Sequence, residues 1–212
     1  MLDVSVLHIR QLSSQLDYEL IDPGGQVVGR ATQVGGPKPR KGLLSVFGSG
    51  VGDARVVVQV GYADGTPAFF VDRQGGSPVA IVAPDGTLIG RYDEDRTATA
   101  RQMASSGGIL SNVARIAAGA MSPAQRNRLL DAAGRPLCVL DWTFRHNHDP
   151  DNPRWHPVQS DYTDLNGVQI ARLDVREGMH KDQYQLQFLY QLPEPLRTLA
   201  IASPLAFDLT RT

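Results

Sequence analysis

Cysteine is almost absent from this chain, and lysine is scarce. Cys138 is the only cysteine among 212 residues, so no disulfide can form within the chain and a reducing compartment is expected. Only 3 lysines accompany 18 arginines, a bias typical of GC-rich genomes that predicts a bacterial source. The net charge of −1 gives no overall attraction to polyanions, so a nucleic-acid partner is not expected.

Long apolar runs are also missing. No stretch of 18 apolar residues occurs, whereas a helix that spans a bilayer needs about 20, so no transmembrane span is expected. Charged residues are spread through positions 1–20, which excludes the apolar centre of a secretory signal peptide. The sequence therefore predicts a cytoplasmic protein that, if it meets a membrane, does so peripherally.

The most apolar stretch lies near the C-terminus. From Leu199 to Leu209 only Ser203, Pro204 and Asp208 interrupt the apolar residues. A helix without a polar face must be surrounded by protein or lipid, and this stretch is too short to span a bilayer. We therefore expect a buried helix over about 195–209, either kinked at Pro204 or divided there, with Ser203 as the cap of a second turn.

Glycine recurs three residues after aspartate. The pattern follows Asp22, Asp72, Asp131 and Asp164, and shorter Asp-Gly turns occur at Asp64 and Asp85. Apolar residues flank each site, which predicts β-hairpins that turn through a left-handed glycine.

Alternating segments predict the strands themselves. Residues 4–10, 17–30 and 55–92 give a first strand, a hairpin and four successive strands, and residues 183–190 place Tyr184, Leu186, Phe188 and Tyr190 on one face. Two stretches break the rhythm. A Gly- and Pro-rich connection covers 34–53, and residues 96–128 carry an apolar stripe at helical spacing.

Hairpins followed by one all-apolar helix resemble the fold of tubby C-terminal domains, phospholipid scramblases and LURP-one-related proteins. The resemblance rests on the run Leu199–Asp208 and on the four Asp-x-x-Gly hairpins, and it covers about residues 10–210. It implies a mainly β protein: one closed antiparallel barrel of about 12 strands over residues 1–212, enclosing the C-terminal helix. A lumen that wide needs a filling, which the helix supplies.

The departures from that family bear on function. The Pro-rich segment and cysteine cluster of eukaryotic scramblases are missing, and residues 174–182 lack the alternating oxygen ligands of a calcium loop. Calcium-triggered lipid scrambling is therefore not expected. The resemblance implies a non-enzymatic barrel that binds phospholipid head groups or associates with the membrane surface.

Cationic residues outside the strands are the candidate lipid contacts. They are Lys38, Arg40, Lys41, Arg96, Arg101 and Arg115. Converging on one surface, they would attract an anionic phospholipid.

A histidine-rich loop offers a second hypothesis, a metal-dependent enzyme. Its candidate ligands are His146, His148, Asp149, Asp151 and His156, side chains that suit zinc or iron. His-x-His specifies a metal site weakly, and Asp-Pro-Asp-Asn-Pro is typical of a solvated loop, so no cofactor is predicted as required. A protein-interaction domain is the third hypothesis. No nucleophile motif is visible, and Cys138 lies in an apolar strand.

Overall fold

The computed structural model describes residues 4–13, 16–37, 54–75, 78–98, 101, 123, 125–147, 155–177 and 182–211. These residues form twelve strands and one long C-terminal helix, α1 (Leu196–Arg211). The strands are β1 (Val6–Gln11), β2 (Tyr18–Ile21), β3 (Val27–Gly35), β4 (Val56–Tyr62), β5 (Pro67–Arg73), β6 (Val79–Val82), β7 (Leu88–Glu94), β8 (Gln125–Asp131), β9 (Pro136–His146), β10 (Trp155–Asp164), β11 (Gln169–Glu177) and β12 (Asp182–Phe188).

The twelve strands form a closed antiparallel barrel. Each strand pairs with its neighbours in sequence, and β1 pairs with β12 to close the ring, with Val6 opposite Gln187 and Arg10 opposite Gln183. Closure leaves no strand edge unpaired. The predicted fold, a 12-stranded barrel with a C-terminal helix, is confirmed.

The antiparallel order gives the barrel two different ends. The connections β2–β3, β4–β5, β6–β7, β8–β9 and β10–β11 lie at one end, here called the turn end. The chain also passes from β12 into α1 at the turn end. The remaining connections, including those over 36–55 and 95–124, join strands at the opposite end, here called the loop end.

One five-residue turn is used at all five hairpins of the turn end. Its first residues are Asp22, Tyr62, Ala83, Asp131 and Asp164. In each turn the N–H of the first residue donates to the carbonyl of the fifth, and the N–H of the fourth donates to the carbonyl of the first. The fourth residue is always glycine, with φ between 80° and 88°, a conformation that side chains with a Cβ rarely adopt.

The aspartate of each turn occupies one of two positions but makes the same hydrogen bond. Asp22, Asp131 and Asp164 occupy the first position, whereas Asp64 and Asp85 occupy the third. In every case a carboxylate oxygen accepts the N–H of the fifth residue at 2.8–2.9 Å. The predicted hairpins are thus confirmed at these five sites.

Asp72 does not open a turn, contrary to the prediction from its Asp-x-x-Gly pattern. It lies inside β5 and accepts two hydrogen bonds from the Arg55 guanidinium, at 2.9 and 2.6 Å. The pattern misleads here because the strand continues for one more residue and the cross-strand arginine takes both carboxylate oxygens.

The core consists of inward-facing strand residues and α1. In β1, for example, Leu7 and Ile9 are fully buried while His8 and Arg10 face outward. Every residue of α1 from Leu199 to Leu209 is buried, as expected for a helix that fills the lumen. Cys138 is also fully buried, and burial raises the pKa of its thiol to about 12, so the thiol is protonated and inert at neutral pH.

The helix packs closely against β7. A Cβ atom added at Gly90 would lie 2.9 Å from Leu199 Cδ1 and 2.2 Å from the Leu130 carbonyl oxygen. Glycine is therefore required where the wall meets the helix.

The helix continues through Pro204, so the predicted division into two turns is wrong. Ser203 is not a cap, because its hydroxyl lies in the helix interior and donates to the Ala200 carbonyl oxygen at 2.8 Å. Tyr190 also departs from its prediction. It lies beyond β12 and is 58% exposed, because the chain leaves the sheet after Phe188 to enter the helix.

Candidate ligand-binding groove

The lumen is occupied by protein, and its polar groups serve the helix. Asp208 of α1 accepts hydrogen bonds from Tyr18 of β2, at 2.8 Å, and from Tyr184 of β12. Burial raises the pKa of Asp208 to about 6, and the two tyrosine hydrogen bonds offset part of that effect. This cluster anchors the helix inside the barrel, so a ligand must bind on the outer wall or at an end.

A groove on the outer wall crosses four neighbouring strands, β2, β1, β12 and β11. Its volume is about 300 Å³, and we call it the wall groove. Its lining residues are His8, Ile9, Arg10, Ile21, Asp22, Pro23, Gly25, Asp174, Arg176, Gln183, Tyr184 and Gln185.

Strand register arranges the polar lining in two rows. In the first row Gln183 stands between Arg10 on β1 and Arg176 on β11. Neighbouring strands lie about 4.8 Å apart, so the two arginine backbones are about 10 Å apart. Two side chains of that length can meet one anion between them.

The second row carries the opposite charge. His8 pairs with Gln185, and Gln185 pairs with Asp174 of β11. Asp22 lies beside this row, in the β2–β3 turn, where its carboxylate already accepts the N–H of Gln26 at 2.8 Å. The wall groove thus holds cationic and anionic groups side by side above apolar Ile21.

The two arginines of the groove differ in their partners. Arg10 donates to Glu19 at 2.6 Å and is 51% exposed. Arg176 is exposed and makes no ion pair within the described part of the chain. Asp174 is bound by Arg172 at 3.1 Å. Arg176 is therefore the side chain best placed to take a phosphate oxygen.

Arg96, one of the predicted lipid contacts, is paired with a carboxylate, as are two arginines of β8, Arg126 and Arg128. Arg96 donates to Glu94 at 3.3 Å, and Arg126 and Arg128 pair with Asp141 and Asp93 at 2.6 and 2.9 Å. Arg101 is exposed, whereas Lys38, Arg40, Lys41 and Arg115 lie outside the described residues.

A second cavity near Arg96 opens at the loop end and measures about 400 Å³. It lies beside the last turn of α1 and is lined by Arg73, Arg96 and Arg128 together with Asp93, Glu94 and Asp95. Because Arg96 and Arg128 are bound by these same carboxylates, the cavity offers little excess charge to a ligand.

The two described histidines of the predicted metal loop do not meet. His146 of β9 pairs with Trp155 of β10, and the two rings lie edge to face at 5.1 Å. His156 pairs with Arg145, so it belongs to the opposite face of the hairpin. His148, Asp149 and Asp151 lie outside the described residues. Within the described ranges no group of three potential metal ligands forms.

The residues of the wall groove were not among those predicted from the sequence. Their only local signal is the alternation that turns Gln183 and Gln185 outward. Arg10 and Arg176 stand on either side of Gln183 only because β1 pairs with β12, a contact between the two ends of the chain.

Comparisons with protein-family models, with curated proteins and with solved structures find no match. The resemblance to the tubby-like family therefore stays a prediction. Among the described residues, no helix combines the length and the apolar character that a bilayer-spanning helix needs.

Proposed function

We propose that this barrel is a non-catalytic module that binds the head group of a phospholipid in the wall groove and so associates with a membrane surface. The observation that carries the proposal is the row Arg10–Gln183–Arg176 on the floor of a head-group-sized cavity. The helix that fills the lumen supports an external site, because it leaves the outer wall to bind ligands.

The charge pattern favours a head group that carries both phosphate and amine. Arg176 and Arg10 suit phosphate oxygens, and arginine binds them through paired N–H donors. Asp174 and Asp22 in the neighbouring row suit an ammonium group. Phosphatidylserine combines these groups and adds a carboxylate, so it is the lipid to test first.

Co-sedimentation with vesicles tests the proposal. The protein should pellet with vesicles of phosphatidylcholine and phosphatidylserine but not with phosphatidylcholine alone, and raised salt should weaken binding by screening. One arginine near an anionic surface contributes about 1 kcal/mol, so Arg176→Gln should weaken binding about fivefold. Glycerophosphoserine, the same head group without its acyl chains, should compete.

Matched variants separate the groove from other cationic sites. Arg145→Gln removes an exposed arginine on β9 and should leave binding unchanged. Arg96→Gln and Arg101→Gln test the loop end. If these two weaken binding while Arg176→Gln does not, the lipid contacts lie at the loop end and the wall groove is not the site. Equal binding to both vesicle types would refute recognition of the serine head group.

A further inference from the structure

Exposed large hydrophobic side chains gather at the turn end. Among the residues that the structure describes, six such side chains are substantially exposed. Four of them, Leu165 (62%), Val168 (45%), Leu189 (44%) and Tyr190 (58%), lie in the β10–β11 turn or just after β12. We call these four residues the turn-end patch.

The backbone places the four side chains next to one another. Leu165 and Val168 belong to the same five-residue turn. The N–H of Leu189 donates to the carbonyl of Ile170 at 3.0 Å, and Ile170 lies two residues after Val168. Tyr190 follows Leu189 directly. Exposed hydrophobic residues are unremarkable singly, but a contiguous patch marks an interaction site.

A groove adjoins the turn-end patch. It has a volume of about 380 Å³ and is lined by Phe188, Leu189, Tyr190 and Gln191 together with Val4 and Arg197. Arg197 is only 8% exposed, donates to the Val4 carbonyl oxygen at 2.9 Å and stacks on the Phe188 ring at 4.6 Å. The floor of the groove is therefore fixed by buried contacts and does not have to be ordered when a partner binds.

The described charges around this end are net negative. Five turn aspartates and Glu194 lie at the turn end, against Arg135, which is bound by Asp131 at 2.7 Å, Arg91, which donates to the Ala132 carbonyl oxygen, and the buried Arg197. Backbone N–H groups hold the pKa of Asp64, Asp85, Asp131 and Asp164 below its usual range, so these carboxylates stay ionised at neutral pH.

We propose that the turn-end patch docks a segment of another protein in which one or two large apolar side chains are flanked by lysine or arginine. Apolar contact with Leu165, Val168, Leu189 and Tyr190 would supply affinity, and the surrounding carboxylates would select a cationic partner. A second copy presenting the same end would bring like charges together, and an anionic bilayer would be repelled in the same way. This docking face is separate from the wall groove and does not rest on lipid binding there.

NMR titration of the isotope-labelled 212-residue chain tests the proposal. Two synthetic 12-residue peptides share one core of leucine and tryptophan, flanked by lysine in one and by glutamate in the other. The lysine peptide should shift the amide signals of residues 165–170 and 188–191, and raised salt should weaken its binding. The glutamate peptide should shift none of them.

Exposed-site variants supply the control. The double variant Leu165→Ser and Leu189→Ser should fold normally and bind the lysine peptide at least tenfold more weakly. Val34→Ser, which alters a 54% exposed valine of β3, should bind like the unaltered protein.

Four results would overturn the proposal. The first is a lysine peptide that shifts no turn-end signal. The second is equal binding of the glutamate peptide, and the third is equal binding of a lysine peptide without the apolar core. The fourth is self-association in sedimentation that the double variant abolishes, because the occupant would then be a second copy.

Discussion

Ser203 Oγ donates a hydrogen bond to the carbonyl oxygen of Ala200 at 2.8 Å. In an α-helix that carbonyl would accept the N–H of residue 204, but residue 204 is proline and has none. The serine hydroxyl thus replaces the missing backbone donor. Because its own proton is used, Ser203 must accept its second hydrogen bond, at 2.6 Å, from the Tyr162 hydroxyl of β10.

Ser203→Ala should therefore lower the free energy of unfolding more than its small change in size suggests. It leaves the Ala200 carbonyl and the Tyr162 hydroxyl unpartnered in the core, and each buried group left without a partner costs about 1–3 kcal/mol. We expect a loss of about 2–4 kcal/mol in the free energy of unfolding, measured by urea denaturation. In a Pro204→Ala background the backbone N–H returns to Ala200, so the same substitution should cost less. An equal cost in both backgrounds would show that the hydroxyl does not replace the backbone donor.

The buried carboxylate of Asp208 should make stability depend on pH. Its pKa is about 6 in the folded protein, and about 3.9 is usual for an unfolded chain. The folded state therefore holds its proton more tightly, and the free energy of unfolding should fall as pH rises from about 4 to about 6. The complete fall, from pH well below 4 to pH above 6, is about 3 kcal/mol, of which about 2 kcal/mol lies between pH 4 and pH 7.

Asp208→Asn isolates that contribution. The difference in unfolding free energy between the variant and the unaltered protein should change by about 2 kcal/mol between pH 4 and pH 7, in favour of the variant at pH 7. Nearby charges such as Asp182 and Arg211 are common to both proteins. Asp64, Asp85, Asp131 and Asp164, whose pKa is lowered, lose their stabilising effect only as pH falls below the usual aspartate range. A difference that stays flat with pH would contradict a buried, ionisable Asp208.

The turn geometry makes adjacent glycines unequal. Gly25 has φ of 83°, whereas Gly24 beside it does not lie in the left-handed region. Gly25→Ala should cost about 1–2 kcal/mol, because a Cβ is strained in that conformation. Gly24→Ala should cost less, because its Cβ meets no strained φ and crowds only Asp22 Oδ1, at 3.3 Å. Thermal unfolding of the two variants checks this, and equal effects would argue against the shared turn.

A charge placed inside the lumen should prevent folding. Ala202 is fully buried in the middle of α1, and Ala202→Asp would bury a carboxylate without a partner. We expect loss of the cooperative thermal transition. Thr210→Asp, at an exposed position of the same helix, is the control and should melt normally. Normal melting of Ala202→Asp would place the helix outside the barrel.

Local chemistry predicted much of this fold. Turn residues and short-range alternation are properties of a few neighbouring residues, so the five hairpins and most strand positions could be read from them. The apolar run at Leu199–Leu209 has no polar face, so the helix had to be buried wherever it packed. Asp72 and Ser203 show where local patterns fail. Asp72 pairs with a cross-strand arginine and does not open a turn. Ser203 replaces the N–H that Pro204 lacks and does not cap a helix.

The amino-acid sequence by itself determined that β-hairpins form and that an apolar helix must be enclosed, because both follow from backbone conformation and hydrophobic burial. Only the tertiary structure decided which polar side chains meet. Closure of β1 against β12 sets Arg10 near Arg176 and brings Tyr18 and Tyr184 to Asp208. Such pairings depend on the register between distant segments. Every residue of the ring contributes to that register, and no single motif encodes it.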